Sequence, residues 1–398
     1  MIAFDVEARK SKPVAEGRAK RRYLLLGDFG GRATEPVAVD RDNIDDVLAR
    51  CDVSLAGLRV REVEDFHPDR LYQRMEGFRE QAEEQPTVRE AATPRANLEE
   101  ILKPGSLLEQ ITEGGDPFQR YVRDLARAHA APAKRDDSAR NTALGERMRA
   151  LLHHPRFQSI EAAWRGLELI VRNTDDEFAR VTIAQYSRAD LERDIAQASD
   201  LRSTRFFQLL TGREWQGVYG LYSFGSAAED IELLGRIALV AAHARTPFVA
   251  EGSADMGDHW DELKSIPETR YLGLALPRLL LRMPYGAKAA KIEAFPFEEM
   301  PGIPQHAHYL WGNPVLAVLA IAARGGIEDD DLNLDQLPLH TYQDRGEWTM
   351  TPCAEVWLTE SQVQALMEMG MMPLVSFRDQ DRVRLAGVRA INGAALSL

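Results

Sequence analysis

Between residues 153 and 171 the apolar side chains Phe157, Ile160, Trp164, Leu167 and Val171 recur at steps of three, four, three and four. That is the repeat of one α-helix face, so these five residues are expected to pack into a core. His153 and His154, which head the stretch, are adjacent, and on a helix their rings would diverge by roughly 100 degrees. Two metal ligands on one helix face need a spacing of three or four. With Pro155 in the first turn, the pair reads as the start of a helix and not as a site. The helical pattern returns at 230–244, and between and after these helices run strand-like segments at 180–184, 217–222 and 247–250. A helix over 360–369 and a strand over 373–377 close the pattern. Such alternation predicts an α/β fold of layered mixed sheets flanked by helices.

Upstream, the apolar run at 23–26 breaks at Gly27-Asp28-Phe29-Gly30-Gly31-Arg32, which predicts a buried strand ending in a glycine-permitted turn. Extended character resumes at 36–39. Residues 43–48 form a short helix pattern with Asp45 and Asp46 in its first turn, where the helix dipole favours them. A second strand is expected at 58–63, and Asp65 to Arg70 opens a helix through Leu71 and Met75. The chain thus divides into a flexible, basic leader (1–20), a small strand-helix-strand-helix unit (21–76), a linker-like region with two short helical patterns (77–143) and a second α/β domain (144–398). The linker assignment rests on several prolines and few large apolar residues. No internal repeat and no coiled-coil heptad is visible.

Composition narrows the classes. The 398 residues are 44% hydrophobic and 28% charged, as expected of a globular protein. A formal charge of -13 argues against a nucleic-acid partner, because phosphate neutralisation needs a basic surface. The two cysteines, Cys51 and Cys353, offer neither a disulfide framework nor a zinc quartet. No apolar run approaches the ~18 residues of a membrane span, and the start has no signal-peptide pattern. A cytoplasmic protein without membrane insertion is expected.

Few residues suggest chemistry. The Gly27 to Arg32 stretch could cradle an anion with backbone N–H groups, but it lacks the Lys-Ser/Thr of a P-loop and the spacing of a dinucleotide fingerprint; a tight structural turn is the preferred reading. His306 and His308 would share a face if their segment is extended, with Glu298 and Glu299 close in sequence, which makes them the best metal candidate. Histidines beside Tyr309 and Trp311 are more often packing residues. No nucleophile elbow and no His-Glu-x-x-His pair occurs, so no catalytic residue, metal or cofactor is expected. Arg278 and Arg282 stand among apolar residues, so each buried charge needs a partner. Four apart, they would project from one helix face, making a fixed ionic contact within the fold or to a neighbouring subunit, unless their stems simply lie over apolar surface.

Several stretches in order, LLHHPRFQSIEAAWRGLELIV, AAHARTPFVAE, YLGLALPRLLLRMPYG, HYLWGN and GMMPLVSFRD, resemble the large (TssC-like) contractile sheath subunit of bacterial type VI secretion systems. YLLLGDFGGR, PVAVDRDNIDDVL and EDFHPDRL resemble the opening half of the small (TssB-like) sheath subunit. The resemblance implies one chain that fuses parts of two partners which normally form a heterodimer, the building block of a sheath whose protomers are joined by exchanged strands. It further implies a structural function without an active site. Sheath subunits or baseplate components are the expected partners, along with further copies of the chain itself, and Arg278, Arg282, Tyr285 and Trp311 are candidate interface residues. The large subunit's C-terminal extension and N-terminal segment are not recognisable. A chain lacking these arms is expected either to be a divergent protomer or to cap a sheath or adapt it to the baseplate. A regulator that sequesters sheath subunits is the alternative, and a metal- or phosphate-dependent enzyme a weaker one.

Overall fold

The computed structural model describes residues 20–32, 35–79, 137–196, 198–286, 289–328 and 330–398. The basic leader and most of the linker-like region, with its two helical patterns, lie outside the described residues. The chain opens with β1 (Arg21–Gly27), β2 (Val37–Val39), α1 (Ile44–Arg50), the hairpin β3 (Ser54–Leu55) and β4 (Leu58–Arg59), α2 (Pro68–Arg74) and α3 (Glu76–Arg79). Then follow α4 (Asp137–Leu152), α5 (Pro155–Asn173), β5 (Ala179–Gln185), α6 (Arg188–Ala196), α7 (Arg205–Thr211), β6 (Gly217–Ser223), α8 (Ala228–Ala244), β7 (Phe248–Glu251) and α9 (Trp260–Lys264). The last part holds β8 (Leu272–Leu276), β9 (Leu279–Leu280), β10 (Trp311–Gly312), α10 (Val315–Ala323), β11 (Asn333–Leu334), β12 (His340–Asp344), β13 (Glu347–Thr351), α11 (Glu360–Glu368), β14 (Met371–Ser376) and β15 (Val383–Leu385).

Among the described residues, nine strands form one sheet in the order β11-β15-β14-β8-β7-β6-β1-β5-β2. The six inner strands from β14 to β5 are parallel, and antiparallel strands close both edges. Parallel sheets bury both faces, and side chains alternate between them. Tyr23 and Leu25 accordingly join a core with α5 and α10, whereas Leu24 and Leu26 join a second core with α6, α7, α8 and α11. The layered α/β architecture is the one the alternating pattern predicts. β1 lies between β5 and β6, so the sheet takes one of its inner strands from residues 21–27 and that strand's neighbours from far downstream.

Helix α5 shows how this core is locked. His154 is its N-cap, its Nδ1 accepting from Arg156 N at 3.2 Å, and Pro155 occupies the first turn. Phe157, Ile160, Trp164, Leu167 and Val171 are all buried. Trp164 Nε1 donates to Phe29 O at 2.9 Å, and the two rings meet edge to face at 5.6 Å. On the neighbouring turn, Gly166 allows close approach to α10, since a Cβ there would lie 2.4 Å from Leu316. Helix α10 is buried on every side, so its sequence carries no amphipathic stripe.

Two expected elements differ. The strand foreseen at 58–63 is only the two-residue β4, because Val63 to Phe66 turn into a 3-10 helix whose N-cap residue Glu62 donates its N–H to the Asp65 carboxylate and whose first residue Val63 donates to Asp45. The 271–286 segment is not a helix: β8, a turn at Pro277 and β9 run through it, so the four-residue spacing of Arg278 and Arg282 does not place them on a helix face. An uninterrupted apolar run suits a buried parallel strand as well as a helix, and the position beside β7 and β14 decides for the strand.

Replacing Trp164 with Ala is expected to lower unfolding stability by ~3–5 kcal/mol through the cavity and the orphaned Phe29 carbonyl. Urea denaturation checks this; an unchanged midpoint would contradict the packing described.

Candidate functional site

The densest polar arrangement lies under α5 rather than in an open cleft. Arg282, 9% exposed, leaves the end of β9 and enters a space between two fully buried carboxylates, Glu161 and Glu299. Its Nε donates to Glu161 Oε1 at 2.9 Å, while Nη1 and Nη2 donate to Glu299 at 2.7 and 3.0 Å in a fork. Arg165, one turn after Glu161, donates to the same Glu161 oxygen at 2.7 Å and to the Tyr285 hydroxyl at 3.0 Å. Tyr285 N donates to Glu299 at 2.8 Å, and the Tyr285 ring carries the Arg282 guanidinium on its face at 4.3 Å. Two arginines thus face two carboxylates, and the charges balance.

His153 adds a third nitrogen base, its Nε2 lying 3.5 Å from Glu299 and its ring stacked on His308 at 3.8 Å. Burial alone would raise the Glu299 pKa, but Arg282, His153 and the Tyr285 N–H overcome it and pull the carboxyl down to about 2. Burial likewise disfavours the charged Arg282, and Glu161 and Glu299 outweigh it, holding its pKa well above the ordinary value. For Tyr285, burial wins over both arginines and pushes the phenol up to about 12. Each group is held in the protonation state it already has at neutral pH, which suits a structural clamp more than an acid or base poised near 7.

A second polar group gathers at the carboxyl ends of β6 and β7, where open α/β sheets commonly bind ligands. Glu251 accepts from the Ser223 hydroxyl and from Asn313 Nδ2 at 3.0 Å. Burial raises its pKa, against the Ser223 hydrogen bond and the nearby Arg278. Arg278 makes a two-pronged ion pair with Glu355, which His306 Nε2 also approaches at 3.4 Å. Both arginines singled out in the sequence therefore find carboxylate partners within the chain. Tyr285 and Trp311 are buried; the Trp311 Nε1 donates to His306 O at 3.0 Å.

The residues weighed for metal and anion chemistry are placed differently. His306 and His308 belong to a 3-10 turn, not an extended segment, and they face apart, His306 towards Glu355 and His308 onto His153. Among the described residues no group of three His, Cys, Asp or Glu could hold a metal ion. In the Gly27 to Arg32 turn, Gly30 sits at φ +75° directly over Ile160, where a side chain would clash. The backbone N–H groups of Phe29, Gly30 and Arg32 already donate to Gln185, Asp28 and Cys51. Those donors are not free for an anion. Among the described residues no helix is long and apolar enough to cross a membrane.

Sequence reading missed Glu161, and it weighed Glu299 only beside His306 and His308 as a metal candidate, not as a partner of Arg282. The available signal was that Glu161 falls on the buried flank of the α5 stripe, beside Ile160 and three residues before Trp164, and that Glu299 follows the apolar Phe295 and Phe297.

The sheet and the internally neutralised cluster together define a layered α/β domain whose buried charges tie its own segments to one another. A family model described as "EvpB/VC_A0108, tail sheath N-terminal domain" matches residues 139–258 and 254–392, and the chain belongs to that family. Among curated proteins, the type VI secretion system sheath protein TssC1 of Pseudomonas aeruginosa is 27% identical over 304 residues, 65% of this chain and 61% of TssC1. The chain therefore spans about three-fifths of the length of this curated relative. The family match begins after β1, β2, α1 and α2.

Two outcomes are expected. Removing one partner of a buried, hydrogen-bonded ion pair leaves an uncompensated charge, so Arg282→Ala should lose ~3–5 kcal/mol in chemical denaturation. Because the folded Glu299 pKa, about 2, lies below the ordinary glutamate value of 4.5, its contribution is complete above pH ~4.5 and disappears as pH falls towards ~2, a difference of about 3 kcal/mol. Glu299→Gln should flatten the acid side of the stability profile in that window; a profile parallel to wild type would contradict the assignment.

Proposed function

We propose that this chain is a structural subunit of a type VI secretion apparatus, a sheath-like protomer that is built into a sheath or caps it or joins it to the baseplate. The observation that carries the reading is the place of β1. The family match covers 139–392, yet an inner strand of the sheet, lying between β5 and β6 of the matched part, comes from residues 21–27. This arrangement is what a fusion would give in which a small-subunit-like segment (21–76) completes the sheet of a large-subunit-like domain (144–398), with 77–143 as the connection. Family membership and the name of the curated relative support a role in the sheath. The internally paired charges, which hold the domain together, support a mechanical role without catalysis. The partners are sheath or baseplate proteins of the same apparatus, met in the cytoplasm, and no nucleic acid or bilayer takes part.

Electron microscopy of the purified protein, alone and mixed with the sheath subunits of its own organism, tests this. The expected result is particles of this chain bound along sheath tubes or at their ends, or tubes of its own. Tubes that form undecorated contradict the proposal, and suppression of tube formation favours sequestration.

A further inference from the structure

The neighbouring parallel strands β6, β7 and β8 begin side by side, and a cavity of about 380 Å³ opens at their amino-terminal ends. Trp215 and Gln216 line it just before β6, Arg245 and Pro247 just before β7, and Arg270 and Tyr271 at the start of β8; residues 394–397 complete the lining. This is the end of the sheet opposite to the one where open α/β folds commonly hold ligands. The cavity shares no residue with the Arg282 cluster or with the group around Glu251.

Its charge is one-sided. The chain carries a formal charge of -13, yet this lining holds two arginines and no carboxylate. Both arginines are exposed, and neither meets a carboxylate among the described residues. Glu214 and Glu268, the acids closest in sequence, stay outside the lining. The Arg270 guanidinium rests on the adjacent Tyr271, with Nη2 3.4 Å from the hydroxyl and Cζ 5.0 Å from the ring centroid, which steadies the fork while leaving most of its N–H groups unused. Arg245 stands at a strained position. It ends α8 in the left-handed conformation, φ 52° and ψ 35°, with its N–H donating to Ala242 O at 3.1 Å. Glycine or asparagine usually fills that place, because a Cβ crowds the backbone there. An arginine that bears this cost, and whose guanidinium makes no hydrogen bond or ion pair among the described residues, points to a function for its side chain.

We infer that this cavity binds a small phosphate-bearing ligand through Arg245 and Arg270. A guanidinium fork holds an oxyanion by parallel N–H···O bonds. Phosphate presents three terminal oxygens in tetrahedral directions, which suits two forks and the Gln216 carboxamide approaching from different strand ends; a carboxylate is planar and has two oxygens. The volume of about 380 Å³ falls within the ~300–1,000 Å³ of small-molecule sites, so the ligand extends beyond its phosphate and lies against Trp215, Pro247 and Tyr271. The lining has no histidine, cysteine or carboxylate, and the ligand is therefore bound and not transformed. Once bound, it ties the starts of β7 and β8 to the 394–397 segment, whose Leu396 already packs so closely over Gly273 that a Cβ there would lie 2.7 Å away. The inference is independent of the role in a sheath.

Titration calorimetry of the full purified chain with pyrophosphate and with citrate, at ionic strength matched by chloride, tests this. Pyrophosphate should bind saturably with Kd below ~1 mM, and its binding should slow amide exchange at 394–397. Arg245→Gly and Arg270→Gln should each weaken binding ~10-fold or more. Arg245→Gly should also keep or raise the melting temperature, since glycine suits the left-handed position, so its loss of binding cannot come from misfolding. Arg213→Gln removes an exposed arginine outside the lining and should bind like wild type. Failure to saturate, unchanged binding in the two cavity variants, an equal loss in Arg213→Gln, or citrate binding as tightly as pyrophosphate would each overturn the inference.

Discussion

Strand β1 hydrogen-bonds on both edges, to β5 across its whole length from Arg21 to Gly27 and to β6 from Tyr23 to Leu26. Removing it would expose two unpaired strand edges in the middle of a sheet buried on both faces, and each lost buried hydrogen bond leaves a donor or acceptor to be desolvated. Its four apolar residues also divide evenly between the two cores. The turn that follows β1 extends this constraint, because Phe29 places its carbonyl on Trp164 and its N–H on Gln185, at the end of β5. The N-terminal segment is in this way woven into the family-matched part of the chain.

The Arg282 cluster is a second tie of the same kind. It joins α5 through Glu161 and Arg165, the chain after β9 through Arg282 and Tyr285, and the 298–308 stretch through Glu299, with His153 and His308 stacked at its margin. Apolar packing could hold these segments together with less desolvation cost. What the ionic version adds is direction, since a guanidinium fork accepts carboxylates only in certain planes. The 303–311 loop, whose Tyr309 hydroxyl meets His340 and Thr351 of the β12–β13 hairpin, is therefore set at a fixed position relative to α5.

Where a chain segment is half-buried, its pattern shows. Helices α5 and α8 carry clear stripes, and β1, β5, β6 and β14 were legible as apolar runs bounded by turn residues. Helix α10 escaped because it is apolar all round and buried all round, a condition that erases periodicity. The 271–286 run was ambiguous for a related reason, a continuous apolar stretch being compatible with a strand or a helix until its neighbours are known. The candidate site was half legible. Arg278 and Arg282 announce a need for counter-charges, but Glu161 lies 121 residues from Arg282 and Glu355 lies 77 from Arg278, and no local rule identifies partners at that separation.

The central claim is that residues 21–27 form an inner strand of the sheet, inserted between β5 and β6 of the family-matched part, and native-state hydrogen exchange of the intact chain tests it most directly. Amides of β1 should exchange as slowly as those of β5 and β6, through global unfolding alone. Fast exchange in β1 with continued protection in β5 and β6 would show that the sheet closes without it, and would contradict the account.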